Sequence, residues 1–168
     1  RYFNTTEGSH TLFVFANNSL GTTAGNVTFN VDDNSYNINY SGFSGADKGS
    51  STNFNELSVD ELHNVGAIVL EKASLGKISF TEPINITDDY SPGDSTTDID
   101  GYITISQNNI FINSTALKNF NKSATLILYN LSFSNPRILI DGVICPSSIC
   151  YGASYSGGNL TFNVTHFT

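Results

Sequence analysis

Asn159-Leu160-Thr161-Phe162-Asn163-Val164-Thr165 decides the fold class, because apolar and polar side chains alternate along its whole length. A period of two puts Leu160, Phe162 and Val164 on one side of an extended strand and the Asn and Thr residues on the other. The same beat recurs upstream. Val27, Phe29 and Val31 alternate with Asn and Thr, as do Tyr36, Ile38 and Tyr40. Ile84 and Ile86 flank Asn85, and Ile103, Ile105, Ile110 and Ile112 follow. Leu12–Ala16 and Ala124–Leu131 are more uniformly apolar, a pattern that suits central strands covered on both faces.

Turn chemistry separates these strands. Asp141-Gly142 stands between Arg137–Ile140 and Val143–Cys145 and reads as a two-residue hairpin turn, since both residues tolerate positive φ. Ser156-Gly157-Gly158 precedes the last strand, and Leu75-Gly76 separates Ala67–Glu71 from Lys77–Phe80. A turn is expected at Leu20–Gly25. One helix is expected near residues 58–65, where Ser58-Val59-Asp60-Glu61 fits a capping box and Gly66 ends the pattern. The expected fold is all-β, with Ig-like antiparallel β-sandwich modules and this one short helix. The domain reading is residues 1–40 as Ig-like strands, incomplete as a sandwich alone, 41–53 as a Gly/Ser-rich linker or long loop, and 54–168 as a β-sandwich domain with a C-terminal disulfide.

Composition narrows the function classes. Of 168 residues only 13% are charged, and the net charge is −8. That argues against nucleic acid, which needs clustered Lys and Arg, and against anionic membrane surfaces, but allows divalent cations. No apolar run reaches the roughly 18 residues of a membrane-spanning helix. With no methionine and no leader-like stretch, the sequence reads as a mature or excised piece. The polar surface comes from 21 Asn, 21 Ser and 17 Thr, residues that favour turns and strand faces over helix interiors.

Ten Asn-x-Ser/Thr sequons follow from that composition, at Asn4, Asn17, Asn26, Asn39, Asn85, Asn113, Asn121, Asn130, Asn159 and Asn163. Random placement gives about five, and outward strand faces built from Asn, Ser and Thr give about eight. The excess therefore marks exposed strand faces as well as N-linked glycan sites. Asp88, Asp89, Asp94, Asp98 and Asp100 lie within thirteen residues with no base among them. Such carboxylates suit Ca²⁺, which takes six to eight oxygen ligands; the other reading is a solvated acidic loop. Thr96–Gly101 partly mimics the start of an EF-hand, but Thr96 and Gln107 hold the positions where that loop needs acids. Asp32-Asp33 is a weaker candidate. Cys145 and Cys150 enclose four residues, and a disulfide there is expected, with free thiols or half a metal site as alternatives.

No nucleophile elbow, paired metal histidines or phosphate loop is present. His166 shares parity with the apolar residues of its strand and reads as structural, and the chain is expected not to be an enzyme.

Two resemblances bear on function. Glu7–Asn17 running into Asn26–Val31 resembles the closing hairpin of extracellular Ig-like repeats. Ser58–Glu71, Gly76–Thr87, Ile112–Leu131, Asn135–Arg137, Cys145–Cys150 and above all Ser156–Thr168 are similar to an Ig-like β-domain of large archaeal cell-surface proteins, of tandem-repeat and filament-forming type. The resemblance implies an extracellular, cell-surface glycoprotein. On it the chain is expected to be a structural module, a polymerising filament (pilus) subunit that self-associates by strand donation. Leu12, Phe13, Val14 and Phe15 form the expected donor strand and subunit contact, since an unpaired apolar edge is unstable. The alternative is a cell-surface adhesin or carbohydrate-binding module using Tyr90, Tyr102, Tyr151 and Tyr155 as sugar platforms.

Overall fold

Leu70, Ile78, Leu126 and Phe162 stand side by side across four strands and form the central row of the core. The computed structural model describes residues 8–19, 21–31 and 36–167. The chain divides into two units, Arg1–Ser35 and Tyr36–Thr168.

The first unit is a hairpin of β1 (Gly8–Asn18) and β2 (Gly21–Val31), antiparallel with Asn18 opposite Gly21. Its turn is tighter than the expected Leu20–Gly25, so Thr22–Gly25 belong to the strand. In the second unit the strands are β3 (Asn37–Asn39), β4 (Val69–Lys72), β5 (Gly76–Phe80), β6 (Thr96–Asp98), β7 (Ile103–Ser106), β8 (Asn109–Ile112), β9 (Ala124–Leu128), β10 (Leu139–Ile140), β11 (Val143–Ile144), β12 (Cys150–Ser156) and β13 (Asn159–Val164). Two short helices, α1 (Val59–Leu62) and α2 (Ile99–Tyr102), interrupt them.

Five strands make one antiparallel sheet in the order β12-β13-β9-β5-β4. Alternation does what its period requires. Ile78 and Phe80, Ala124, Leu126 and Leu128, and Leu160, Phe162 and Val164 are all buried. Ile103, Ile105 and Ile112 of the β7–β8 hairpin join the same cluster, with Phe43, Phe54, Ile84, Ile86, Ile99, Leu117 and Phe120. Burying each such side chain contributes about 1.5–3 kcal/mol. Gly76 is required by close approach: a Cβ there would lie 2.6 Å from the Ile127 carbonyl oxygen.

The turn readings hold. Asp141 and Gly142 both have positive φ (49° and 79°) between β10 and β11, and Gly157-Gly158 closes β12 onto β13. The Ser58–Glu61 capping box is formed, but α1 ends at His63 after one turn. Ala124–Leu128 is central in its sheet, but Ala124, Leu126 and Leu128 are buried and Thr125 and Ile127 only half-buried, so it is not covered equally on both faces. Leu12–Ala16 is not central: its large side chains are exposed. Ile84 and Ile86 are fully buried but form no ladder beyond a single Val65–Ile84 bridge. Side chains satisfy that segment instead, since Thr97 Oγ1 donates to the Ile86 carbonyl and Asn119 Nδ2 to those of Asn85 and Ile86.

The β-rich class therefore stands. An Ig-like sandwich places about seven strands in two facing sheets; the strands here pair as one five-stranded sheet and four two-stranded ones, of which β3–β6 is parallel. Residues 41–53 lie within the second unit and include a 3-10 turn, Ser41–Phe43, with Phe43 buried. Among the described residues no helix is long and apolar enough to cross a membrane.

Candidate functional site

Two strands alone have no second layer to bury a face against, so the β1–β2 ribbon presents its side chains to solvent. Cross-strand partners share a face. The register places Leu12 with Val27, His10 with Phe29, Val14 with Gly25 and Ala16 with Thr23 on one face. Thr11 with Thr28, Phe13 with Asn26, Phe15 with Ala24 and Asn17 with Thr22 occupy the other. The first face is apolar across both strands, and the His10 and Phe29 rings lie 5.9 Å apart on it. The second is apolar along β1 only, and Thr11 and Thr28 share a hydroxyl hydrogen bond of 3.1 Å there. Leu12, Phe13, Val14, Phe15, Val27 and Phe29 are between 42% and 69% exposed. From Gly8 to Val31 there is no Asp, Glu, Lys or Arg. A two-stranded hairpin in water is marginal, so this face gains stability from whatever covers it.

The acidic segment is built differently from an ion cage. Asp98 caps α2, accepting from the Gly101 amide (2.9 Å) and from Asn39 Nδ2 (2.8 Å). Asp100 accepts from the Ser41 hydroxyl (2.7 Å) and the Gly42 amide (3.0 Å). Asp94 accepts from the Thr96 amide, and Asp88 pairs with Lys118 at 3.1 Å. Asp89 is buried, and burial raises its carboxyl above the usual range although the Ser91 amide bonds to it. The base missing from the local sequence is thus supplied by Lys118, and among the described residues no three His, Cys, Asp or Glu side chains converge to hold a metal. Beside this segment a groove of about 520 Å³ is lined by polar and apolar residues alike, among them Asn37, Ile38, Asn39, Tyr40, Thr96 and Asp98.

A second polar cluster centres on a buried carboxylate of the sheet. Glu71, on β4, accepts from the Ser50 amide and hydroxyl, both at 2.5 Å, and from the Tyr129 hydroxyl at 2.7 Å. Burial alone would raise its carboxyl; the Ser50 and Tyr129 hydrogen bonds and Lys77 outweigh that and hold it below the usual range. Tyr129 is pushed well above its ordinary value by burial and by the Glu71 carboxylate.

With the geometry in hand, comparison with known proteins adds little. No family model matches the chain, and no curated protein matches it. Solved structures that match include the C-terminal domain of the nuclear pore complex component NUP116 from Candida glabrata, at 18% identity and a TM-score of 0.45, covering 67% of this chain and 82% of that one. A second is a chain of the yeast heterotrimeric Nup82-Nup159-Nup116 nucleoporin complex, with the same identity, TM-score and coverage of this chain, and 88% of that one.

These findings correct the resemblance to archaeal cell-surface Ig-like domains. The matching structures are nucleoporin domains, and neither a family model nor a curated protein supports the archaeal reading. The extracellular and cell-surface location, the filament or pilus subunit and the adhesin alternative rested on that resemblance and fall with it. Physically, the resemblance was carried by alternation and turn residues, which many antiparallel β-proteins share. The likeness to nucleoporin domains is itself too distant to carry a function.

The remaining sequence candidates are dispersed. Asn17, Asn26, Asn39, Asn121, Asn130 and Asn159 are exposed, and Asn85, Asn113 and Asn163 half-buried; Asn4 and Asp32-Asp33 lie outside the described residues. Tyr90, Tyr102 and Tyr151 are exposed, whereas Tyr155 is half-buried and donates to the Leu131 carbonyl. Cys145 and Cys150 are joined as a disulfide. Sequence reasoning singled out neither Glu71–Tyr129–Ser50 nor the pairing of Val27 and Phe29 with the donor strand. The second follows from the register, which the expected turn at Leu20–Gly25 would have shifted by leaving Thr22–Gly25 out of the strand.

Proposed function

We propose that this chain is a non-catalytic protein-binding module and that the β1–β2 ribbon is its contact element. One observation carries the reading: a hairpin of two eleven-residue strands exposes six large apolar side chains and contains no Asp, Glu, Lys or Arg. Contiguous exposed apolar surface marks interaction sites, and Leu12–Phe15 lie at its centre. A non-catalytic role is supported by how the reactive groups are occupied. The His63 ring bonds to the carbonyl of Val59 on its own helix, His166 to the Thr165 hydroxyl, and the Glu71 carboxylate to three donors. Self-association is the simplest form of the reading, since it requires no other species.

A photo-crosslinking side chain at Val14, in the protein in its native setting, tests this. Protein adducts at position 14 and none at Thr104, an exposed site on β7, are expected. An absence of any protein adduct at position 14 rejects the reading.

Calcium binding by the acidic segment and N-linked glycans on the exposed sequons are separate proposals. Calcium would have to draw Asp98 and Asp100 from their present partners; a melting temperature unchanged by Ca²⁺ and EDTA rejects it. A native mass equal to the bare chain rejects the glycans.

A further inference from the structure

We infer that a second contact element, independent of the ribbon, lies on the Tyr36–Thr168 unit: the groove along β3 takes an extended peptide segment that carries a Lys or Arg side chain. The strand pair at this groove is incomplete as a sheet. β3 and β6 pair in parallel over three residues each, and among the described residues no third strand joins them. Parallel pairing is the weaker kind, and parallel sheets are ordinarily covered on both faces. The register sets which main-chain groups are spent. The Asn37 amide donates to the Ser95 carbonyl (2.9 Å), so Asn37 and Asn39 turn their main chain toward β6, and Ile38 turns its N–H and C=O the other way. Among the described residues neither of these Ile38 groups has a partner.

The groove follows that strand. Residues 37–41 line it in succession, with Asn55, Thr96 and Asp98 beside them. Its volume of about 520 Å³ falls within the roughly 300–1,000 Å³ of ligand clefts. A segment lying along β3 would give its main chain to Ile38, which is strand addition to a sheet edge. Its alternate side chains would lie on the face shared by Asn37, Asn39, Thr96 and Asp98. The others would lie on the face of Ile38, which packs against the core.

Charge selects the segment. Among the described residues lining the groove, Asp98 alone is charged. Its Oδ1 takes both the Gly101 amide and Asn39 Nδ2, and Oδ2 has no protein donor among the described residues. Asp100, bonded to Ser41 and Gly42, adds a second carboxylate beside Ser41. An acidic or phosphorylated segment would find no counter-charge here, and a chain of net charge −8 repels it at long range. A strand added beside β3 lies two strand spacings from β6, about 10 Å. A Lys or Arg side chain laid across Asn39 spans that gap, and short side chains do not.

Titration of the whole 168-residue chain with end-blocked pentapeptides, followed by amide NMR shifts, tests the inference. The probe Thr-Val-Arg-Val-Thr puts Arg on the Asp98 face and Val on the Ile38 face. It should shift the amides of Ile38, Asn39 and Tyr40 with a dissociation constant of about 1 mM or below. Replacing its Arg by Glu should weaken binding about tenfold, and so should methylating its main-chain nitrogens, which leaves no donor for the Ile38 carbonyl. Asp98→Asn should cut the preference for the Arg peptide over its Gln counterpart about threefold. Asn39 begins a sequon, and a glycan on it would fill the groove, so peptide mapping of native material should find Asn39 bare. No shift at Ile38 by about 10 mM Arg peptide, equal binding of the Glu or methylated peptide, an unchanged preference in Asp98→Asn, or a glycan on Asn39 overturns the inference. Shifts at Val14 in place of Ile38 put the peptide on the ribbon and overturn it too. The ribbon's own protein-binding role is judged separately, by the adduct at position 14.

Discussion

Replacing Glu71 by Gln probes the one carboxylate that the fold buries against three donors. The two side chains have the same shape, so packing is preserved and the electrostatics alone change. In the native protein one carboxylate oxygen takes the Ser50 amide and hydroxyl and the other takes the Tyr129 hydroxyl. A hydrogen bond to a charged group contributes about 1.5–3 kcal/mol and a neutral one about 0.5–1.5. Three such losses sum to about 3 kcal/mol. The lower desolvation cost of an amide and rotation of the Tyr129 hydroxyl return part of it, so the expected loss at pH 7 is about 2 kcal/mol. Urea unfolding of both proteins measures it. The folded carboxyl is held below its unfolded value, so its contribution is present above the unfolded pKa of about 4.3 and disappears as pH falls through the folded value. The two proteins should converge once the pH has fallen below the folded value. Equal stability at pH 7, or a gap that persists in acid, refutes the account. Gly49→Ala should reproduce the defect, because a Cβ there collides with the Glu71 carboxyl group and Gly49 has φ +52°.

Tyr129 should lose stability at the opposite end of the scale. Its raised value means that the contribution of its neutral hydroxyl is complete below pH 10 and is lost as pH rises through the folded value; Tyr129→Phe should remove that alkaline dependence in the same urea assay. Asn119→Asp should cost about 3 kcal/mol or more at pH 7, since the buried amide donates to the carbonyls of Asn85 and Ile86 and a carboxylate would face both as an acceptor. The defect should shrink in acid, as the carboxyl protonates. Reducing Cys145–Cys150 opens a loop of five-residue separation, and loop entropy assigns it about 2 kcal/mol, measurable as a lower urea midpoint with dithiothreitol. Ser58→Ala should cost about 1 kcal/mol by removing the α1 cap, a change that thermal unfolding resolves.

The strands of the main sheet were legible because β5, β9 and β13 bury one face, and a half-buried strand writes its period into its sequence. Asp141-Gly142 and Ser58–Glu61 were legible because their conformations need particular residue types. The Ile84–Ile86 segment misled, because burial by itself gives the same apolar spacing as a ladder, and the groups that replace the ladder, Thr97 and Asn119, are 11 and 33 residues from Ile86 in the chain. The acidic segment's present partners could not be read for a related reason: Asp98 and Asp100 anchor Asn39, Ser41 and Gly42, nearly sixty residues away. The β3–β6 pair could not be read, since three-residue strands carry too little pattern to announce a parallel partner. Leu12–Phe15 is apolar because of what it exposes, and sequence alone does not separate that from a strand buried on both faces.

β13, the last described strand, lies inside the sheet between β12 and β9. During synthesis, β4, β5 and β9 can pair early, but the row of Leu70, Ile78, Leu126 and Phe162 stays one member short until residue 164 has been made and has cleared the ribosome. Through that interval the flank of β9 is an open apolar template. The β1–β2 hairpin, all of whose pairs are local, is complete more than 130 residues before the end of β13. An uncharged, sticky ribbon is thus formed long before the domain behind it can close. Neighbouring nascent copies on one message would be most exposed to wrong pairing in that window, and the speed of synthesis between β9 and β13 sets how long it lasts.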